Sequence, residues 1–185
     1  LLAQEGAGDA RSLEGIEPGL HLHLVDHHDN STASAEEAEA VVRLVQGLLG
    51  SPWHDPTGPD GDAGPRPLEQ RDIIVVTPYN HQLRVVSDAL AGAGLDEVPV
   101  GTVDKFQGQE APVAILTMAA SSHSDVSRGM GFLLNRNRLN VALSRGQWAA
   151  IIVHSPVLTD FAPRSTEELV ALGSFLTLTE AARPI

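Results

Sequence analysis

Residues 72–82, DIIVVTPYNHQ, decide how this chain can fold. Residues 73–76 form a continuous run of β-branched apolar side chains, which is typical of a parallel strand buried on both faces. Thr77 and Pro78 follow this run and predict the start of a helix, with Pro78 at its first position. A buried strand that leads directly into a helix indicates an α/β fold with a parallel sheet.

The same alternation of strands and helices continues on both sides of this stretch. Further strands are predicted at 20–25, 98–100, 113–118 and 148–153, and further helices at 34–49, 133–145 and 165–176. Ser34 and Ser165 are each followed three residues later by a glutamate, which is the pattern of a capping box. We therefore expect a three-layer α/β sandwich with a mainly parallel sheet.

Segments rich in proline and glycine indicate how the chain is divided into one domain, an insertion and two terminal segments. Residues 51–67 contain five prolines and three glycines, which predicts an irregular insertion that can be shortened without unfolding the domain. We expect a flexible segment at 1–19, one domain at 20–156 that carries this insertion, and a helical extension at 157–185. Because the chain begins with Leu1 and not with Met, we also expect it to be part of a longer polypeptide.

The composition excludes several classes of protein. The chain has 185 residues, of which 42% are hydrophobic and 19% charged, as expected for a soluble globular domain. Its apolar runs are too short to cross a bilayer, so we expect no membrane partner and a cytoplasmic location. Cysteine is absent, which excludes disulfide scaffolds and thiolate zinc sites. The single lysine, Lys105, follows Asp104, so the chain cannot contain the Gly-Lys-Ser/Thr sequence of a P-loop.

The net charge of −12 is distributed unevenly. Residues 1–70 carry 13 acidic and 3 basic side chains, whereas residues 71–154 carry 7 of each. No carboxylate occurs from 126 to 159, but four arginines do: Arg128, Arg136, Arg138 and Arg145. The overall acidity argues against a nonspecific nucleic-acid coat, and the local arginine cluster permits an anion site, so charge alone does not choose between these interpretations.

Two polar segments contain most of the candidate chemistry. Residues 101–110, GTVDKFQGQE, connect a predicted short strand to a predicted buried strand. Residues 135–146, NRNRLNVALSRG, place two arginines on one face of a predicted helix. Considered separately, the first segment is equally compatible with a surface turn. The arginines of the second are compatible with partner carboxylates elsewhere in the fold.

In combination, residues 74–82, 103–110 and 138–145 resemble motifs IV, V and VI of superfamily 1 helicases. The branch they resemble contains the nonsense-mediated-decay helicase and senataxin. Their order and spacing are similar to those of the C-terminal of two RecA-like motor domains, a P-loop NTPase fold without its own P-loop. The resemblance covers about residues 20–156. It implies that ATP and Mg²⁺ are bound mainly by a first RecA-like domain of the same polypeptide, and that the partner is single-stranded DNA or RNA.

The resemblance also implies roles for individual residues. Arg145 matches the arginine finger, which stabilises charge on the γ-phosphoryl group, and Arg138 is a second catalytic arginine of the same motif. The implied nucleotide-contacting residues are Tyr79, Gln82, Gln107, Gly108 and Glu110. The implied nucleic-acid contacts are Thr77, Thr102 and Val103. Some family members have an arginine directly after the motif IV glutamine, where this chain has Leu83. Arg84 lies one residue later, about 100° around a helix, so its role stays open.

Other patterns permit different chemistry. His21 and His23 share a strand face close to the histidines and aspartates of residues 26–29, a set that can bind zinc or nickel, but a solvated strand end beside an interdomain surface is the better explanation. We expect no metal site. Ser121, Ser122, His123 and Asp125 are residue types of a hydrolase triad, but side chains adjacent in sequence point in different directions.

Two further expectations concern a helix start and the choice of function. Glu36, Glu37 and Glu39 fit the first turn of a helix, where the helix dipole favours carboxylates. The alternative to a helicase motor domain is a non-catalytic RecA-like α/β binding module. A P-loop earlier in the parent polypeptide distinguishes the two, because only the motor requires it.

Overall fold

The chain was described by a computed structural model, which covers residues 10–58, 64–126 and 129–185. Part of the expected flexible segment (1–9), part of the expected insertion (59–63) and Arg128 lie outside these ranges. The helices are α1 (Ala35–Leu48), α2 (Asn80–Gly92), α3 (Met130–Leu133), α4 (Arg136–Leu143) and α5 (Thr166–Glu180). The strands are β1 (Ser12–Leu13), β2 (Gly19–Leu24), β3 (Pro52–His54), β4 (Arg66–Pro67), β5 (Ile73–Thr77), β6 (Val100–Thr102), β7 (Ala111–Thr117), β8 (Gly146–His154) and β9 (Arg183–Pro184). Within those ranges, no helix has the length and apolar character needed to cross a bilayer.

Six strands form the central sheet, in the order β6-β5-β7-β8-β2-β9. Every neighbouring pair in this sheet is parallel. The two longest strands, β7 and β8, lie at its centre, and β7 is buried along its whole length. The predicted three-layer, RecA-like α/β fold is confirmed, because helices cover both faces of this sheet.

The two faces of the sheet bury separate apolar cores. Ile73 and Val75 of β5 pack on the side of α1 and α2, whereas Ile74 and Val76 pack on the side of α3, α4 and α5. This division follows from strand geometry, because successive side chains of a strand point to opposite faces. A continuous apolar run such as 73–76 is therefore what a strand needs when both faces are covered by helices.

Some element boundaries differ from the sequence predictions. Helix α2 begins at Asn80 with Tyr79 as its N-cap, so Pro78 precedes the helix and is not its first residue. The helix predicted at 133–145 is shorter in the structure, where it is α4 (Arg136–Leu143), and Leu133 is the last residue of the separate helix α3. The break occurs at Asn135, whose side chain accepts a hydrogen bond from the Arg138 N–H (3.1 Å) and caps α4. Asparagine is a preferred N-cap residue, which explains why a new helix begins there.

The base of the predicted insertion is ordered and packed, contrary to the expectation of an irregular loop. Strand β3 pairs antiparallel with both β1 and β4, which forms a small second sheet. Trp53 of β3 is only 4% exposed and packs edge-on against Trp148, with ring centroids 6.4 Å apart. Because β1 belongs to residues 1–19, this part of the expected flexible segment also has a fixed partner.

The C-terminal part of the chain contributes to the core of the domain. Phe175 of α5 is fully buried and lies edge-on to His154, with ring centroids 5.3 Å apart. After α5, β9 adds to the β2 edge of the main sheet, and the Ile185 N–H donates to the Leu22 carbonyl (3.1 Å). The segment at 157–185 is thus helical as predicted, but it also supplies an edge strand that its sequence did not indicate.

Candidate functional site

A cavity of about 460 Å³ opens at the carboxyl ends of β5 and β6. In parallel α/β sheets, ligands bind outside the carboxyl ends of the strands, so this cavity is a candidate binding site. The predicted site residues that line it are Thr77, Tyr79, Thr102, Val103 and Arg138. The structure therefore brings the three predicted nucleic-acid residues together with one predicted nucleotide residue and one predicted catalytic arginine. We call this space the carboxyl-edge cavity.

The two threonines of the cavity differ in accessibility. Thr77 is fully buried, and its hydroxyl donates to the Tyr79 carbonyl (3.3 Å), which supports the turn between β5 and α2. Thr102 is half-buried and precedes the 3₁₀ turn Val103–Phe106, where its side chain makes no cap hydrogen bond. The Thr102 hydroxyl is thus the better placed of the two to contact a ligand.

The turn after β6 is held closely against the strand. A Cβ atom on Gly101 would collide with the Lys105 side chain and come within 3.0 Å of the Phe106 ring, so only glycine fits there. The Lys105 ammonium donates to the Val100 carbonyl (2.7 Å), and Phe106 is buried in the core. These contacts fix the wall of the cavity that carries Thr102 and Val103.

An aromatic pair supports Arg138 at the cavity. The rings of Tyr79 and Phe132 stack with centroids 5.8 Å apart and an angle of 27°. The guanidinium carbon of Arg138 lies 4.3 Å from the centre of the Phe132 ring, which is the geometry of a cation–π contact. The sequence analysis did not predict a role for Phe132 at this site. Its only signal there was the position of an aromatic residue in an arginine-rich stretch without carboxylates.

Arg145 lies at the opposite edge of the sheet. It follows α4 and directly precedes β8, and its carbonyl accepts a hydrogen bond from the Ala111 N–H at the start of β7. Its Nε donates to the Val141 carbonyl (2.9 Å), and its Nη1 donates to the Gln109 carbonyl (3.2 Å). Because all strands of the sheet are parallel, the starts of β7 and β8 lie at the edge opposite the carboxyl-edge cavity. We call this region the amino-edge cluster.

Three predicted nucleotide-contacting residues, Gln107, Gly108 and Glu110, lie within two residues of Gln109, which contacts Arg145. Gly108 has φ 79°, in the left-handed region that favours glycine, and it turns the chain between exposed Gln107 and Gln109. Glu110 is exposed at the start of β7 and lines a second cavity of about 600 Å³, which the base of the insertion also borders. The predicted set therefore divides into two groups, one at each edge of the sheet.

Gln82 belongs to neither group. Its side chain is fully buried, with Oε1 accepting from the Ser34 N–H (2.7 Å) and Nε2 donating to the Ser34 carbonyl (3.4 Å). The amide thus fastens the start of α1 to α2, and its predicted nucleotide contact stays a prediction. Arg84, on the same helix, is exposed.

Glu37 lies in the first turn of α1, as predicted, but the sequence did not indicate the buried polar network to which it belongs. Glu37 is fully buried, with Oε1 3.0 Å from His27 Nε2 and Oε2 accepting from the Met118 and Ala119 N–H groups at 2.9 Å each. Burial raises the pKa of the Glu37 carboxyl, and the hydrogen bonds from His27 and the backbone act in the opposite direction. The Ser34 hydroxyl still accepts from the Glu37 N–H, as half of the predicted capping box.

The same network places Ser121 against a histidine other than its sequence neighbour. Ser121 Oγ lies 2.7 Å from His27 Nδ1, and it accepts from the Asn30 N–H (2.9 Å). The Ser121 hydroxyl and the Glu37 carboxyl thus lie at the two ring nitrogens of His27, on opposite sides of the imidazole. Although this is the connectivity of a hydrolase triad, Ser121 is 1% exposed, so no substrate carbonyl can reach it.

The histidines near the start of the domain do not come together as metal ligands. The described ranges contain no group of three His, Asp or Glu side chains that could hold a metal ion. His21 is buried, with Nε2 2.7 Å from the Glu17 carbonyl oxygen. His23 Nδ1 lies 3.0 Å from the Ile185 carbonyl oxygen at the β9 edge.

The sequence of the chain is similar to a known family and to several known proteins. The model of the AAA domain family matches residues 21–156. The chain is 30% identical over 162 residues to the 3'-5' exoribonuclease HELZ2 of Mus musculus, which covers 82% of this chain and 5% of that protein. It is 38% identical over 122 residues to the DNA polymerase alpha-associated DNA helicase A of Schizosaccharomyces pombe, which covers 66% of this chain and 16% of that protein.

A third relative is the DNA replication ATP-dependent helicase/nuclease DNA2 of Gallus gallus, which is 37% identical over 92 residues. That match covers 49% of this chain and 9% of the relative. The chain therefore spans only a small part of the length of each of these three proteins.

Proposed function

Because the chain belongs to the AAA domain family and is a superfamily 1 helicase domain, we propose that it is the C-terminal motor domain of an ATP-dependent helicase. In this proposal, a first RecA-like domain of the same polypeptide supplies most of the contacts to ATP and Mg²⁺. The sequence supports this division, because the only lysine, Lys105, follows Asp104 and cannot form a P-loop. The full helicase couples ATP hydrolysis to movement along single-stranded DNA or RNA.

The contact between Arg145 and Gln109 is the observation that carries the proposal. It joins the two segments that resemble motifs V and VI. Within the described ranges, no carboxylate forms an ion pair with Arg145. A guanidinium held by carbonyl groups and lacking an anionic partner fits a nucleotide phosphate, so the amino-edge cluster has a suitable donor for ATP.

The role of Arg145 follows from the geometry of its side chain. A guanidinium presents a rigid fork of N–H donors that matches phosphoryl oxygens. The Nε bond to the Val141 carbonyl orients the group, while the Nη1 and Nη2 donors now bonded to Gln109 and Ser144 lie in exposed positions. When the nucleotide-bearing domain closes, these donors stabilise the negative charge that develops on the transferred phosphoryl group.

The carboxyl-edge cavity supplies this domain's part of the nucleic-acid track. Thr102 offers a hydroxyl, and Val103 begins the turn that offers backbone N–H groups. Contacts of this kind reach the sugar-phosphate backbone and are independent of base sequence. Residues 101–110 connect this cavity to the amino-edge cluster, so one segment joins the proposed strand site to the proposed ATP site.

The test of this proposal is Arg145→Ala in the full-length polypeptide. We expect turnover to fall by roughly 10³–10⁵-fold with a small change in ATP affinity, because the charge that Arg145 stabilises is largest in the transition state. Arg145→Lys should restore little activity, since an ammonium does not reproduce the planar fork. The measurement is steady-state ATP hydrolysis together with equilibrium binding of a fluorescent ATP analogue.

Arg43→Ala is the matched control, because Arg43 is an exposed arginine on α1 that pairs only with Glu39 at 3.8 Å. Near-normal turnover in Arg145→Ala would contradict the assignment of the finger. Loss of folding in that variant, measured by thermal unfolding, would instead make Arg145 a structural residue. The bonds to Val141 and Gln109 predict a modest loss of stability, about 1–3 kcal/mol in total.

The alternative function is a non-catalytic RecA-like binding module. Both functions are compatible with an acidic domain of net charge −12. The sequence of the parent polypeptide distinguishes them, because a Gly-Lys-Thr or Gly-Lys-Ser loop upstream supports the motor and its absence supports the module.

A further inference from the structure

We propose that Arg138 binds a backbone phosphate of the single strand at the carboxyl-edge cavity, and that it is not a second catalytic arginine beside ATP. This inference rests on the proposed helicase function and assigns Arg138 to the other of its two ligands. Three features support it: the position of the side chain, the way its guanidinium is held, and the charges around it.

The position of Arg138 separates it from the proposed ATP site. It lies in the first half of α4 and lines the carboxyl-edge cavity together with Thr77 and Thr102. Arg145, seven residues later, lies outside that cavity lining and contacts Gln109 at the opposite edge of the sheet. Arg145 lies two residues beyond the end of α4, directly before β8, so we assign the two arginines to different ligands.

The contact with Phe132 prepares the Arg138 guanidinium for an anion. A guanidinium that stacks on an aromatic ring uses its flat face and leaves its in-plane N–H donors available. Phe132 is itself held by the ring of Tyr79, which is buried against the core. Because Tyr79 and Arg138 both lie against the Phe132 ring, this ring acts as a support for the arginine and not as an open platform for a base.

The charges around Arg138 also favour phosphate. No carboxylate of the described ranges forms a salt bridge with it, although the side chain is exposed. Among the described residues that line the cavity, Arg138 is the only Arg or Lys. Asp104 also lines the cavity, but its carboxylate is exposed to water, which screens its repulsion of a bound anion.

The experiment measures the salt dependence of single-strand binding by the full-length polypeptide without nucleotide. The probes are fluorescent oligo-dT and oligo-rU, and the readout is anisotropy across a series of salt concentrations. Loss of one phosphate contact lowers the slope of log K against log salt by about 0.7 for a single strand. We expect Arg138→Ala to show this change together with a roughly 3- to 10-fold lower affinity at physiological salt.

Two further variants separate a phosphate contact from a structural role. Arg138→Lys keeps the positive charge, so the slope should return toward that of the parent protein. Phe132→Ala keeps the arginine but removes its support, so affinity should fall while the slope is retained. Arg136→Ala is the matched control, because Arg136 carries the same charge but lines a different cavity, against Ser174 and Leu178 of α5.

The possible results are distinguishable. An unchanged slope and affinity in Arg138→Ala would overturn the proposal, and so would an equal loss of slope in Arg136→Ala. If Arg138→Ala does not fold, Arg138→Gln decides the question, because it keeps the length and polarity of the side chain but removes the charge; an unchanged slope in Arg138→Gln would overturn the proposal. If the parent protein binds neither probe, the proposed helicase function fails as a whole. This result differs from every result expected of the variants.

Discussion

The buried carboxylate of Glu37 holds the backbone that forms one wall of the carboxyl-edge cavity. It bonds to two consecutive N–H groups, and the second belongs to Ala119, which has φ 67°. A non-glycine residue adopts this conformation only at a cost in free energy, so the two hydrogen bonds offset local strain. Because Met118 lines the cavity, Glu37 is a positioning residue for the proposed nucleic-acid site.

Glu37→Ala should therefore destabilise the domain strongly. It leaves the buried Ala119 N–H without its acceptor, at a cost of about 1–3 kcal/mol, and it removes one of the two acceptors of the Met118 N–H, which also bonds to the Val153 carbonyl (3.1 Å). Glu37→Gln should cost much less, because the amide oxygen can accept both backbone bonds while the amide nitrogen donates to His27 in its other tautomer. Chemical denaturation of the isolated domain at neutral pH measures both effects, and equal losses in the two variants would contradict this assignment.

The same carboxyl predicts a pH dependence of stability. Its pKa is raised above the ordinary value of 4.5 by burial, so the folded state retains a proton that the unfolded state has already released. The Glu37 contribution to stability is complete below pH 4.5 and declines as pH rises through the folded-state pKa. The free energy of unfolding of the parent protein, relative to Glu37→Gln, should fall over this window. A difference that does not vary with pH would show that Glu37 has an ordinary pKa.

At the scale of elements, the small β1–β3–β4 sheet fastens the insertion to the domain. Trp53 carries most of this attachment through its contact with Trp148, whose indole N–H donates to the Ile16 carbonyl (2.9 Å). The insertion thus has a packed base, so we now restrict the prediction that it can be shortened to the residues between β3 and β4. Proline and glycine density predicted irregular backbone, but a single tryptophan among them provided enough apolar area to form a core contact.

Trp53→Ala should lower the free energy of unfolding by about 3–5 kcal/mol, the range for removing a buried large aromatic side chain. In contrast, replacement of residues 57–64 by a short Gly/Ser turn should leave the melting temperature close to that of the parent, because loop-closure entropy changes slowly with length. Thermal unfolding of the two variants provides the comparison. A large fall after the loop replacement would show that residues beyond the β3–β4 base also pack on the core.

At the scale of the whole molecule, the parallel sheet separates the two candidate sites. The carboxyl-edge cavity and the amino-edge cluster lie at opposite ends of the strands, and the segment from 101 to 110 connects them. The amino-edge cluster is not a complete ATP site, since the only lysine, Lys105, follows Asp104 and cannot form a P-loop. The carboxyl-edge cavity is not a complete strand site, since a net charge of −12 disfavours tight binding of a polyanion. The domain is therefore expected to act together with a nucleotide-binding partner domain.

The purified 185-residue chain should neither hydrolyse ATP nor unwind a duplex, and it should bind single strands weakly. The assay is phosphate release with and without oligo-dT, and the Arg145→Ala form of the same chain is the control for contaminating activity. Turnover that disappears in Arg145→Ala would contradict the proposed division of labour between two domains. Submicromolar strand binding at physiological salt would contradict the expectation that the track is shared.

The sequence by itself determined the fold class, a mainly parallel sheet between layers of helices. The runs at 73–76, 113–118 and 148–153 are apolar on both faces, and burial on both faces is a local property of a strand. The capping serines before α1 and α5 are equally local, because each bonds an N–H three residues later. Fold class and the starts of α1 and α5 could be predicted because these physical causes act within a few residues.

Only the tertiary structure decided which of these residues meet. Glu37 bonds to Met118 and Ala119, more than eighty residues away, and Trp53 packs on Trp148. The two arginines of one motif lie at opposite edges of the sheet, because α4 ends before Arg145 and the chain then enters β8. Such contacts depend on the order of strands and on the path of the connections between them. No local pattern of residues specifies that order, since the same apolar runs fit several positions in a parallel sheet.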